Sequence, residues 1–231
     1  MTKETIDQQG LSLEKDITRS RVSRRKFLGF ASAASGLVLL SACDKNDDDM
    51  QGVNLGSGDT GILNYAYALE QLEAAFYTQV LQTPYSGITA QETSYLRDIR
   101  DHEIAHREFF KSALGANAIP GLEVNFSTVN FSSRDSVLGT AKAFEDLGVS
   151  AYNGAGRLLK SADFLVLAGK IVSVEARHAA LIRDLISNGS FANSEVIDPN
   201  GLDVSRTPAQ VLTIASAFVA TKINASNLPT A

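Results

Sequence analysis

A single cysteine, Cys43, among 231 residues excludes intramolecular disulfides and any zinc or iron–sulfur site built from several thiolates. The chain has no strand-to-helix glycine loop that would cradle phosphate, and no serine- or cysteine-centred nucleophile set. Basic residues are scarce where a nucleic-acid binder needs them clustered. The first 42 residues hold seven Lys/Arg against four Asp/Glu, which leaves 14 against 22, a formal −8, from Cys43 onward. A body of that sign cannot neutralise phosphates, so nucleic acid is excluded as a partner. The charge excess and Pro/Gly bias of disordered chains are missing too. With 44% hydrophobic and 20% charged residues, the chain can bury the core of one substantial domain.

The N-terminus reads as an address. Ser23-Arg24-Arg25-Lys26-Phe27-Leu28 precedes an apolar run, Gly29 to Leu40, which ends in Leu40-Ser41-Ala42-Cys43. A charged segment, a short apolar core and small residues before a cut make a secretory signal, too short to anchor as a spanning helix. The paired arginines with Phe-Leu resemble a twin-arginine export signal, and Leu-Ser-Ala-Cys resembles a bacterial lipoprotein cleavage box. The expectation is a signal over 1–42, lipidation at Cys43, and a mature protein held by membrane lipid on the periplasmic side or at the cell surface. From 43 to 58 the chain is rich in Asp, Asn, Gly and Ser and is expected to be a flexible acidic tether. A helical domain over 59–222 and a tail over 223–231 complete the plan.

From Gly61 onward apolar residues recur at alternating intervals of three and four, the period of a helix facing a bundle core. The first seam runs Leu63, Ala66, Glu70, Glu73, Tyr77, Val80. The second opens with the capping box Thr89-x-x-Glu92 and runs Leu96, Ile99, Glu103, His106, Phe110. The third runs Leu138, Ala141, Glu145, Gly148, Tyr152, Ala155, Leu159, and the fourth Ala168, Ile171, Glu175, His178, Ile182, Leu185, stopping near Asn188-Gly189.

Each seam thus carries ionisable residues at positions assigned to the core. Desolvating a lone carboxylate costs several kcal/mol, about that even after relaxation, and no Lys or Arg sits in any seam to compensate. Metal ions are the best source of the missing positive charge. In Glu103-Ile104-Ala105-His106 and Glu175-Ala176-Arg177-His178, residues i and i+3 project from one face, so a carboxylate and an imidazole can meet one ion. Two such pairs, with Glu70 and Glu145 from the other helices, make the ligand arrangement of ferritin-like di-metal bundles.

The connections agree. Short turns at Thr83–Gly87 and Ser161–Asp163 make antiparallel pairs, and roughly twenty residues, Gly115 to Arg134, can cross a bundle length at about 3.3 Å each. A short fifth helix is expected from Thr207-Pro208-Ala209-Gln210 to about Lys222. Phe76, Phe109, Phe126 and Phe144 read as packing, and His102 and Arg177 as exposed. Gly148, Gly154 and Gly156 point to close helix approach or to room near the site.

YALEQLEAAFY (67–77), AFEDLGVSAYNGA (143–155), VEARHAALIRDL (174–185) and TPAQVLTIASAFV (207–219) resemble the ferritin-like family known as desiccation-related proteins. The resemblance implies an all-α, ferritin-like four-helix bundle with a long crossover between helices 2 and 3. It also implies two iron ions, or iron with manganese, held by Glu70, Glu103, His106, Glu145, Glu175 and His178. By similarity to the wider ferritin and rubrerythrin group, Glu70 with Tyr77 and Glu145 with Tyr152 look like ligand and supporting hydroxyl. Glu73 is an extra acid that could join or replace Glu70. The chain lacks the Cys pairs of a rubredoxin module, so no attached iron centre delivers electrons. The implied chemistry is a ferroxidase- or peroxidase-like oxidoreductase acting on Fe²⁺, O₂ or peroxide in oxidative or desiccation stress. A non-enzymatic lipoprotein scaffold with a structural or vestigial metal site is the reading from a different class. A storage cage is disfavoured by the lipid tether, and a homodimer is the assembly to be tested.

Overall fold

The computed structural model describes residues 52–230. Four helices dominate: α1 (Gly58–Gln82), α2 (Ala90–Leu114), α3 (Arg134–Gly156) and α4 (Ala162–Ile186). Their 23 to 25 residues give rods about 35 Å long. The α1–α2 and α3–α4 hairpins each pack along their length, and α1 also lies against α3. This is the ferritin-like helical bundle that the seams require, closed by the crossover from Gly115 to Ser133. Among the described residues no helix is long and apolar enough to cross a membrane.

Local signals fix the helix starts. Thr89 and Glu92 form the expected capping box on α2, and Ser133 and Ser161 accept from the N–H of Ser136 and Phe164. Asp59 on α1 accepts the N–H groups of Lys160 and Ser161, which ties the first helix to the α3–α4 turn. Buried amides clamp the crossover. Asn64 donates to Leu55 O and Asn117 O and accepts from Ile119 N, while Gln71 accepts from Leu122 N at 2.8 Å. Such polar side chains tolerate burial because their hydrogen bonds are made.

Aromatic packing then seats the crossover on the bundle. Phe76 meets Tyr77, Phe126 and Phe144 edge-on, with ring centroids 5.2, 5.8 and 5.0 Å apart. Buried Arg183 holds the segment after α4 against α3, with Asp146 bridged at 2.8 and 2.7 Å and Glu195 at 3.0 Å.

Two boundaries differ from the sequence reading. The fifth helix, α5 (Pro208–Ala215), starts at its capping box but ends seven residues before Lys222. Phe218 leaves the helix to pack on Phe144 at 4.8 Å, and the following backbone bonds the crossover through Asn125 N to Phe218 O and Ala220 N to Glu123 O. The chain then forms β2 (Ile223–Asn224), which pairs in parallel with β1 (Val53–Asn54). The last part of the expected tether is therefore docked: Leu55 is fully buried, and Gly58 already begins α1. Two apolar residues, Val53 and Leu55, suffice once β2 and Asn64 meet their backbone groups. Among the three glycines, Gly154 allows close approach of a different kind from that expected. A Cβ there would collide with Arg206 O in the segment entering α5, not with a helix.

Candidate metal centre

Every seam acid arrives at one level of the bundle. Glu70, Glu103, Glu145 and Glu175 are fully buried, one from each long helix, and Glu73 is nearly so. One helical turn beyond Glu103 and Glu175, the rings of His106 and His178 turn inward to the same level. His106 Nδ1 lies 3.0 Å from Glu175 Oε1, 3.3 Å from Glu70 Oε2 and 3.5 Å from Glu103 Oε2. His178 Nδ1 lies 2.8 Å from Glu103 Oε1 and 3.5 Å from Glu145 Oε2.

These contacts resolve into two groups, Glu70–Glu103–His106–Glu175 and Glu103–Glu145–Glu175–His178. Each offers four ligand atoms within 4.8 Å of one another. Glu103 and Glu175 belong to both. The structure thus brings together all six residues singled out from the sequence. Cys43, the expected lipidation site, lies outside the described residues, as do the signal and most of the tether.

Tyr77 and Tyr152 support the acids, but not the ones on their own helices. Seven residues advance about 10 Å along a helix, so neither hydroxyl reaches the glutamate two turns back. Tyr77 instead donates to Glu145 Oε1 at 2.5 Å, and Tyr152 donates to Glu70 Oε1. The two hydroxyls thereby tie α1 to α3 in both directions.

The electrostatics are those of acids crowded out of water. Burial raises the pKa of Glu175 well above the carboxylate range, and the charges of Glu103 and Glu70 add to it. Burial likewise raises Glu73, reinforced by Glu175 and Glu103. Glu70 is pushed up to about 7 by burial, with His106 pulling the other way. For Glu103, burial is outweighed by His106 and His178, and its pKa falls to about 2. For His106, burial is outweighed by the Glu103, Glu175 and Glu70 carboxylates, and its pKa rises to about 12. For His178, burial is outweighed by Glu103 and Glu145, and the value is about 10. Without other cations the two imidazoles serve as the counter-charges.

Two further features complete the centre, the first expected from the sequence as room near the site and the second not. Gly148, on α3, makes room: a Cβ there would stand 3.1 Å from Glu73 Oε1 and 3.4 Å from Glu175 Oε2. Glu73 thus lies over Gly148 beside Glu175, and belongs to neither four-residue group. The second feature is His102. It is exposed, as expected, yet its Nδ1 lies 2.9 Å from Nε2 of His178, with the two rings within 9° of parallel. Its position four residues before His106 puts both on one side of α2, a signal the seam count passed over. Arg177 is exposed, also as expected.

The chain matches the ferritin-like domain over residues 58–188, more than half its length. It belongs to the ferritin-like domain family. The match runs from the first residue of α1 to just past α4, so the shared part of this ferritin-like protein is the bundle that holds the acids. The paired strands and α5 lie outside the match. A search of curated proteins finds no match.

Whether the ferritin-like centre fits metal ions is tested by its unmet polar atoms. Of the eight oxygens on Glu70, Glu103, Glu145 and Glu175, two accept a tyrosine hydroxyl. The other six, with His106 Nδ1 and His178 Nδ1, are buried and have no aligned hydrogen-bond partner. Native proteins leave few such atoms, and seldom in a converging set. Oxygen donors with two imidazoles suit iron and manganese, and four carboxylates balance two divalent ions. The residues present are therefore compatible with a di-metal site.

Proposed function

We propose that this chain is an exported, lipid-anchored di-iron carboxylate protein, with manganese an alternative metal, that oxidises Fe²⁺ or consumes O₂ or peroxide during oxidative or desiccation stress. The observation that supports it best is the convergence of eight buried ligand atoms, none with an aligned hydrogen-bond partner, on two positions that share Glu103 and Glu175. In this reading Glu103 and Glu175, common to both groups, would serve both ions, His106 and His178 would each hold one, and Glu70 and Glu145 would each complete one group. Bound iron or manganese would supply the redox change and open positions for the oxidant. The chain's own part is to hold the carboxylates. Tyr77 and Tyr152 fix one oxygen each of Glu145 and Glu70, and the bundle keeps water from the other oxygens.

The address supports a place for this chemistry. Twin-arginine export carries folded proteins, so metal could be loaded in the cytoplasm before Cys43 is lipidated. A diacyl chain buries many methylenes at about 0.8 kcal/mol each, enough for membrane attachment. Mass spectrometry of native protein is expected to show a diacylated Cys43 at the new N-terminus, and Arg24→Lys with Arg25→Lys to strand the precursor inside the cell. An unmodified Cys43 refutes the anchor. Function is tested by consumption of Fe²⁺ or peroxide by purified protein. Turnover above the free-metal background is expected. Tight metal binding with no turnover would favour the scaffold reading, in which the metal is a folding staple.

A further inference from the structure

We infer that His102 is a positioning residue that fixes the tautomer of His178 and makes the two ion positions unequal, the one at His178 being held more tightly. The inference rests on the two-ion reading above and concerns a side chain outside the six proposed ligands.

The geometry carries it. A neutral imidazole that binds a cation through Nδ1 must carry its proton on Nε2, and that N–H needs an acceptor to be held there. His178 turns Nδ1 toward Glu103 and Glu145 and Nε2 toward His102 Nδ1, 2.9 Å away. The ring centroids are 5.1 Å apart and the planes within 9°. That separation is the N–N distance plus one ring radius at each end. The rings therefore meet edge to edge, nearly coplanar, as an N–H···N bond requires. With Nδ1 of His178 on a cation, His102 accepts, which places its own proton on Nε2.

His106 has no such support. The residue before Glu103 is His102, whereas the residue before Glu175 is Val174, which has no polar atom to offer. Among the described residues no side chain stands to His106 as His102 stands to His178. Partners of this kind orient the ring and raise ligand basicity, and their loss typically lowers metal affinity about 10- to 100-fold.

The test is a titration of the mature protein with Mn²⁺ in the absence of oxygen, following bound metal and the electron paramagnetic resonance spectrum. Wild type is expected to bind two ions with the signature of a spin-coupled pair. His102→Ala is expected to weaken one binding step about 10- to 100-fold, so that at an Mn²⁺ level just saturating wild type it holds one ion with a mononuclear spectrum. His102→Asn, whose Oδ1 can replace Nδ1 as acceptor, is expected to restore the second ion. Exposure of His102 makes both variants compatible with folding, checked by circular dichroism. Two ions at wild-type affinity in His102→Ala, or an Asn variant no better than Ala, overturns the inference while the two-ion reading stands. A wild type that binds no ion overturns that reading and the inference with it.

Discussion

The α1–α2 pair and the α3–α4 pair each supply a glutamate, a tyrosine seven residues later and a Glu-x-x-His turn, yet they part at two positions. Three residues beyond the lone glutamate stands Glu73 in the first pair and Gly148 in the second. Before the Glu-x-x-His turn stands His102 in the first and Val174 in the second. The shared residues meet two equivalent needs, one for each group of four ligand atoms. The differing residues teach how a repeated plan becomes lopsided: Glu73 uses the space that Gly148 leaves, and His102 reaches the imidazole of the opposite pair. The first pair thus reaches across into the second at both points.

The largest effects separate shared from unshared ligands. Glu103→Ala or Glu175→Ala removes a side chain common to both groups, and elemental analysis is expected to show loss of nearly all metal. Glu70→Ala and Glu145→Ala each touch one group and are expected to retain about one ion. Glu73→Ala is expected to be milder than either, and the reverse order would mean that Glu73 is the ligand on α1.

The next effect is the pH dependence of the metal-free protein. Glu70 holds its proton up to about 7 when folded, above its ordinary value of 4.5, so its stabilising effect is full below 4.5 and lost as pH rises through 7. His106, raised from 6.5 to about 12, contributes fully below 6.5 and loses that contribution as pH rises toward 12. Glu103, lowered from 4.5 to about 2, acts oppositely and contributes above 4.5. Thermal melts of the apo protein should therefore fall steadily from pH 5 to pH 9. The metal-loaded protein should vary less, because metal displaces these protons. Apo stability that rises over the same range would contradict the assignment. A Glu103→Gln, His106→Leu variant, which removes a buried charge and an imidazole together, should bind little metal yet keep much of the apo stability.

The smallest effect tests the Glu73–Gly148 pair. Gly148→Ala gains about 0.5–1 kcal/mol of helix preference but crowds Glu73 and Glu175, at about 1–3 kcal/mol. A net drop in melting temperature of a few degrees is expected for the single change, since 1 kcal/mol shifts a domain of this size by about 2–4 °C. In a Glu73→Ala background the same substitution should be neutral or stabilising. Equal effects in both backgrounds would show that the two positions do not share space.

Much of this was legible because buried acids violate the helical period that announces the bundle. Glu70, Glu103, Glu145 and Glu175 stand out in their seams, and Thr89 and Thr207 mark helix starts through short-range bonds that sequence alone specifies. What escaped depends on contacts between distant segments. The end of α5 is set by Phe218 meeting Phe144, and the docking of residues 53–55 by β2 and Asn64. The crossed tyrosine pairs need the relative direction of α1 and α3. His102 escaped because exposure and a structural bond coexist: its partner is 76 residues away on another helix.

The central claim, that the six converging side chains form a site for two ions, is tested most directly by adding Fe²⁺ or Mn²⁺ to metal-free wild type under anaerobic conditions in weak buffer. Bound metal, proton release and melting temperature would be followed together. About two ions per chain, protons released as they bind, and a melting temperature raised by mass action are expected. No bound metal, no proton release and an unchanged melt would show that the buried acids are not a metal site.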